Sequence, residues 1–452
     1  MAGKKWNGVY DLAKDSLIYG IGESINRIAQ LAVIPIATSI LAPDQYGLYA
    51  LALFFVIIFK TVISAGTGAG LGVVYFDSEE THYRNSIVST NIVFCAATSL
   101  VSFFLFFAAV FPAKYLFDAS SQVIFYAFLA LLIASAQAVY NPALLKTKFD
   151  RNPEKYFLIT IPSFLAGISF GILLLVYSDF GGASLLYGQI VSSILCMVLI
   201  RYFGVQFKRF EYDDEKRTKL TKASLPFLPG IFMMIAVSSL SPLMLATFSN
   251  LHEAGIYAVG AQFGNVMGIA VSAATTAWFP FFMAYKLKPD DGEAAIVAAR
   301  RLYIAVFGVG VIIVVFISKF VIGLFTDPAY ANSARIFVLV SCSHVLLGMW
   351  SFLLPTIYFN NKTKLVLYPQ IASGIITILS QYLLIGYFGA QGAAFGVIIG
   401  MATLNLVQIS VNYRINGAYS LGNAATFVIF LVVTILFLIC YAANFQGIDL
   451  SV

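Results

Sequence analysis

Four polar residues, Glu23, Asn26, Arg27 and Gln30, fall at i, i+3, i+4 and i+7 in an otherwise apolar run, so a helix gathers them on one face. Further along, Lys60, Ser64 and Thr67 repeat that spacing in a second apolar run. A charge at mid-bilayer depth costs about 2.5–3.5 kcal/mol on insertion scales, so such groups face a cavity or a partner. An arginine fork and a lysine point charge suit an anion: a phosphate-like group could take a bidentate contact from Arg27 and a single charge from Lys60. Glu23 would pair with Arg27 while the site is empty, or exchange a proton. The plainer role for these residues is structural, since Glu23 and Arg27 stand at ion-pair spacing and Lys60 could snorkel or pair with Glu23.

The elements that carry these residues follow from composition. Of 452 residues, 60% are hydrophobic and 11% charged, with a mean hydropathy of +0.88; soluble domains carry about 25% charged residues, so this is a membrane composition. Apolar runs near residues 17–41, 47–74, 86–111, 121–140, 156–178, 182–204, 224–248, 256–284, 302–325, 336–359, 365–388, 391–413 and 424–443 are each long enough to cross a bilayer. Thirteen helical spans result. With a cytoplasmic N-terminus, all Lys and Arg except Arg27, Lys60, Lys114, Lys319 and Arg335 fall on the cytoplasmic side, as positive-inside orientation requires. The net charge of +6 is therefore a topology signal and gives no support to nucleic-acid binding. On this topology Arg27 lies about 15 Å and Lys60 about 10 Å from the inner boundary, depths that let both face one site. The basic start "MAGKKW" leads into a long helix without a cleavage site, and Cys95, Cys196, Cys342 and Cys440 read as packing residues without disulfides.

The chain also repeats itself. "GLYALALFF" from Gly47 returns as "GIYAVGAQF" from Gly255, "LLKTKFD" as "NNKTKLV", Pro162 as Pro369, and "FGGASLLYG" as "FGAQGAAFG", each shifted by 207–216 residues. Six spans thus form an N-terminal lobe over residues 1–204, and six more a C-terminal lobe over 224–413. A cytoplasmic linker, 205–223, joins them, and 414–452 hold an extra span and tail. An even number of spans per lobe relates the two by an axis along the membrane normal. The expected fold is an all-α polytopic membrane protein with two six-helix lobes around a central cavity and one additional helix. Tyr49 and Tyr257, at the openings of the matching second helices, are expected at the interface.

The stretch "YGIGESINRIAQLAVIPIATSILAPDQYGLYALA", with "LHEAGIYAVGAQF" and "NNKTK" in the second lobe, resembles Wzx-like bacterial polysaccharide flippases. Their superfamily also holds multidrug exporters and lipid II flippases. The resemblance spans the first twelve helices. It implies a multi-pass protein of the bacterial inner membrane that moves undecaprenyl-diphosphate-linked oligosaccharide from the cytoplasmic to the outer leaflet. Membrane lipids and other polysaccharide-assembly proteins are the implied partners, and no cofactor or metal is implied. Related flippases carry essential cations on the first two helices, positions that Arg27 and Lys60 match.

In the second lobe a shift of 208 sets Ile235 opposite Arg27 and Gly268 opposite Lys60, so the cations are not repeated. Gln262 and Asn265 stand there instead, with Gln370, Gln381, Asn405 and Gln408 beyond. Neutral amides suit sugar hydroxyls, which suggests an anion-binding first lobe and a sugar-accommodating second. Helix-to-helix hydrogen bonding is the plainer role for each amide, and likewise for His344. "GTGAGLG" at 66–72 lacks the Lys-Ser/Thr of a P-loop and reads as a loosened helix end, while the prolines at 35, 162, 226, 229, 242, 280, 355 and 369 read as kinks. Two alternatives remain from the residues: an ion-coupled multidrug-type exporter, disfavoured by the cationic stripe, and a polymerase, ligase or acyltransferase, disfavoured by short outer connections and the lack of a catalytic constellation. The protein is accordingly expected not to be an enzyme.

Overall fold

A computed structural model describes residues 29–116, 120–203, 211–286, 292–416 and 441. Among them there is no strand, and several helices open where the sequence supplies the chemistry for it. Helix α1 is Ala29–Ile40. Helix α2, Pro43–Ser64, begins on a proline whose missing N–H is not needed there, with Asp44 at the positive end of the helix dipole. Ser120 caps α5, Ser121–Phe149, and Asn152 caps α6, Pro153–Tyr177, each accepting a backbone N–H of the first turn. The remaining long helices are α4 (Thr81–Leu116), α7 (Ala183–Tyr202), α11 (Leu251–Lys286), α12 (Gly292–Phe325), α13 (Ser333–Leu353) and α15 (Leu367–Asn416). Short helices α3 (Thr67–Val74), α8 (Asp214–Ser224), α9 (Leu228–Ser239), α10 (Ser241–Phe248) and α14 (Pro355–Phe359) complete the described chain.

Among the described residues, ten helical stretches are long and apolar enough to cross a membrane. One of them, Thr363–Ile415, has 53 residues, about 80 Å at 1.5 Å per residue and far more than one crossing needs. Gly389, with φ 49° and ψ −129°, breaks it into two arms. The protein is an all-α polytopic membrane protein. The expected span 424–443 lies outside the described residues apart from Tyr441, as does the start of the first span.

Residues 40–235 form one compact unit, and residues 29–39 with those from 236 onward belong to a second. In the first unit α6 and α7 approach through small residues: a β-carbon on Gly188 would stand 2.4 Å from the Gly167 carbonyl oxygen. Part of the segment expected as a linker is helix α8. Asp213 caps it through the Glu215 and Lys216 amides, which hold the Asp213 carboxyl below the usual carboxylate range. Gly70 of α3 admits Ser224 of α8, and Lys219 pairs with Asp77 at 2.8 Å. In the second unit Gly260, Gly264 and Gly268 form one face of α11, against which Ile336, Val340 and His344 of α13 lie.

The internal repeat has a geometric counterpart. Gly181 and Gly389 stand 208 residues apart and both adopt left-handed backbone, φ 55° and 49°. Beside Gly181 is the Gln45 side chain, and beside Gly389 is Glu253, again 208 residues on. Glu253 accepts the Ala390 N–H at 2.6 Å and so caps the second arm of α15.

Several expectations change on contact with the structure. Pro226 sits in a 3-10 turn between α8 and α9, and Pro229, Pro242 and Pro369 occupy the first turns of their helices, so these four mark junctions between helices and not bends inside one. Tyr49 and Tyr257 are each the seventh residue of their helix, but they turn inward from any interfacial belt: Gln189 donates to the Tyr49 hydroxyl at 3.4 Å, and Tyr257, 7% exposed, lies beside Ser241.

Candidate functional site

Lys60 is the eighteenth residue of α2, about 26 Å along the helix from Pro43. It is half-buried and makes no ion pair or hydrogen bond to a described residue. An ammonium left in this state within an apolar helix has its charge available to a ligand. The stripe expected to continue from it does not. Ala65 (φ 46°) and Gly66 (φ 69°) break the helix in left-handed conformation, and α3 restarts at Thr67 in a new orientation. Thr67 is buried there beside Cys95, while Ser64 donates to the Thr61 carbonyl. The segment 66–72, expected as a loosened end, is thus a sharp break followed by an ordered turn of helix.

Glu23, Asn26 and Arg27 lie outside the described residues. Gln30 is exposed on α1. Gln262 and Asn265 are half-buried on α11, flanking its glycine face. Asn265 Oδ1 meets His344 Nε2 at 2.9 Å, and the imidazole occupies the space left by Gly268, where a β-carbon would stand 2.9 Å from the ring. Three other amides of this unit join helices, while Gln370 is half-buried at the start of α15. Gln381 donates to Ser241 at 2.9 Å, Asn405 to the Leu346 carbonyl at 2.9 Å, and Gln408 accepts from Trp350 Nε1 at 3.0 Å while donating to Asn412. Cys95, Cys196 and Cys342 are free thiols, and Cys440 lies outside the described residues.

Sequence reasoning missed a second charged group within a helix. The apolar run begins at 302 and so leaves Arg300 outside the span, yet α12 is already helical from Gly292. Its Nη2 donates to the Phe352 carbonyl at 3.4 Å, which also accepts Trp278 Nε1 at 3.2 Å. Its guanidinium carbon lies 5.9 Å from the Trp278 ring centroid, a cation–π arrangement. The buried Nε has no hydrogen-bond partner. The reason for the cluster is Pro355, which lacks an N–H and interrupts the ladder between α13 and α14. Side chains from three other helices gather at the carbonyls beside the break, Trp278 and Arg300 on Phe352 and Asn412 on Leu353 at 2.9 Å. A sequence signal existed: a proline late in a span, with a tryptophan and a span-edge arginine on the two preceding spans.

Residues 12–286, more than half of the chain, match the family model described as polysaccharide biosynthesis protein. Among individual relatives, protein 1 of the Lsg locus of Haemophilus influenzae is 22% identical over 377 residues, covering 81% of this chain and 90% of that protein. The solved structure of lipid II flippase MurJ in an inward closed conformation superposes with a TM-score of 0.66 at 13% identity, covering 95% of this chain and 99% of that one. An inward-facing multidrug resistance MATE family transporter gives 0.64 at 14% identity, covering 88% and 99%. An outward-facing one gives 0.58 at 15%, covering 90% and 96%. These structural likenesses speak for a shared transporter fold, and the family match adds descent: the chain belongs to the polysaccharide biosynthesis protein family.

Proposed function

We propose that this protein is a flippase that carries undecaprenyl-diphosphate-linked oligosaccharide units from the cytoplasmic to the outer leaflet of the bacterial inner membrane by alternating access. The observation that carries the reading is the family match over residues 12–286, joined to a fold like that of a lipid II flippase. Lys60 supports it locally, as a half-buried cation without a described partner on an apolar helix. In this reading Lys60 and Arg27 bind the diphosphate, Glu23 balances Arg27 in the empty state, and Asn26, Gln30, Gln262 and Asn265 meet the sugars. The N-terminus is cytoplasmic, residues 1–204 and 224–413 act as the two moving lobes, and the protein transports without chemical conversion of its cargo.

The test is transbilayer movement of an undecaprenyl-diphosphate oligosaccharide in liposomes containing the purified protein. Wild type should move the lipid, and Lys60→Ala and Arg27→Ala should each lose movement while remaining folded and inserted. Unimpaired movement by the double variant would remove the anion site. No movement by folded wild type across a panel of such lipids would remove the flippase reading.

A further inference from the structure

In the second unit the described Lys and Arg divide unevenly between the helix ends. Lys286, Arg300, Arg301, Lys362, Lys364 and Arg414 stand toward one end, and only Lys319 and Arg335 toward the other. Positive-inside asymmetry marks the poorer end as outward, where cations are normally sparse. Yet the two present there converge on one cavity of about 370 Å³, set between the end of α12, the turn at Pro328 and the start of α13. That volume lies within the range of small-ligand sites.

We infer that this cavity holds the phosphate headgroup of an outer-leaflet lipid, with Lys319 and Arg335 as its anion contacts. Arg335 offers a planar fork of donors and Lys319 a flexible point charge, the usual complement to a phosphate ester. Lys319 lies six residues, about 9 Å, before the end of α12, so its stem can snorkel to headgroup level. Both cations are additionally engaged by interactions within the chain. Asn332 also lines the cavity, and its amide makes no capping bond. One lining carboxylate, Asp327, accepts the Ala329 N–H at 2.9 Å through Oδ1, and the lining side chains sum to +1.

A second observation specifies a lipid over a free anion. Phe316, Phe320 and Leu324 recur at i, i+4 and i+8 along α12 and are 64%, 70% and 61% exposed. They form an apolar stripe along α12 that flanks Lys319 and reaches Leu324, next in sequence to Gly323 of the cavity wall, a track for an acyl or prenyl chain whose headgroup sits above. The site is independent of what the protein transports.

Native mass spectrometry of the purified full-length protein, released from nanodiscs of phosphatidylcholine doped with phosphatidylglycerol or with undecaprenyl phosphate, tests it. Wild type should retain at least one of the phosphate-anion lipids about tenfold more than phosphatidylcholine, and Lys319→Gln/Arg335→Gln should abolish that preference. Lys319→Arg/Arg335→Lys, which keeps the charge, should preserve it. Retention of phosphatidylglycerol alone identifies a bulk phospholipid, and retention of undecaprenyl phosphate alone identifies a carrier lipid. Equal retention of charged and zwitterionic lipids by wild type, or undiminished preference in the folded Gln variant, overturns the site. The wild-type comparison needs no substitution and stands even where a variant does not fold.

Discussion

Position 60 in the first unit and position 268 in the second are equivalents of the repeat, and they solve the interior of the second helix differently. The first presents a lysine that no described residue pairs with; the second deletes the side chain, and His344 from α13 fills the space and bonds Asn265. One half keeps a charge available, while the other spends the same position on close helix packing. At the same repeat offset, one position leaves a charge without a described partner and the other joins two helices.

The comparison breaks most visibly at Lys60. Lys60→Ala should lower lipid translocation in liposomes about ten- to hundredfold, the worth of one charged hydrogen bond, with no fall in thermal stability. Gly268→Ala should do the reverse. The added methyl meets the His344 ring, so stability measured by thermal unfolding in detergent should drop by about 1–3 kcal/mol, and His344→Ala in the same chain should recover most of it. A smaller contrast concerns the matched glycine turns: Glu253→Ala should cost about 1 kcal/mol by removing the cap on Ala390, whereas Gln45→Ala should cost about half of that or less. The smallest effect is the Asn265–His344 coupling, about 0.6 kcal/mol in a double-mutant cycle. A coupling several times larger would mean that this pair does more than join α11 to α13.

The apolar helices among the described residues were legible because apolar length survives any packing, and so were backbone demands such as the paired left-handed glycines. Gly181 and Gly389 were within reach as "FGG" and "FGA", since only a residue without a β-carbon takes that conformation freely. Side-chain direction was not legible. Lys60, Ser64 and Thr67 share a face only if the helix is continuous, and two residues of left-handed backbone at Ala65 and Gly66 turn Thr67 toward Cys95. Hydropathy also hid Arg300, because an apolar run marks where lipid begins and not where the helix does. The glycines of "GAQFGNVMG" were overlooked beside the amides they separate, although their spacing of four is the commoner mark of a helix contact.

The break at Pro355 has an experimental corollary. The chain has three tryptophans, Trp6, Trp278 and Trp350, and two of them border this one joint. Trp278 stacks on Phe352 with ring centroids 4.4 Å apart and bonds its carbonyl, and Trp350 bonds Gln408 across to α15. Selectively excited tryptophan emission from a Trp6→Phe protein would therefore arise from Trp278 and Trp350 and report the surroundings of that joint. Any rearrangement there during a transport cycle would shift the emission wavelength or its quenching by iodide, giving an optical readout built from native residues and free of attached dyes.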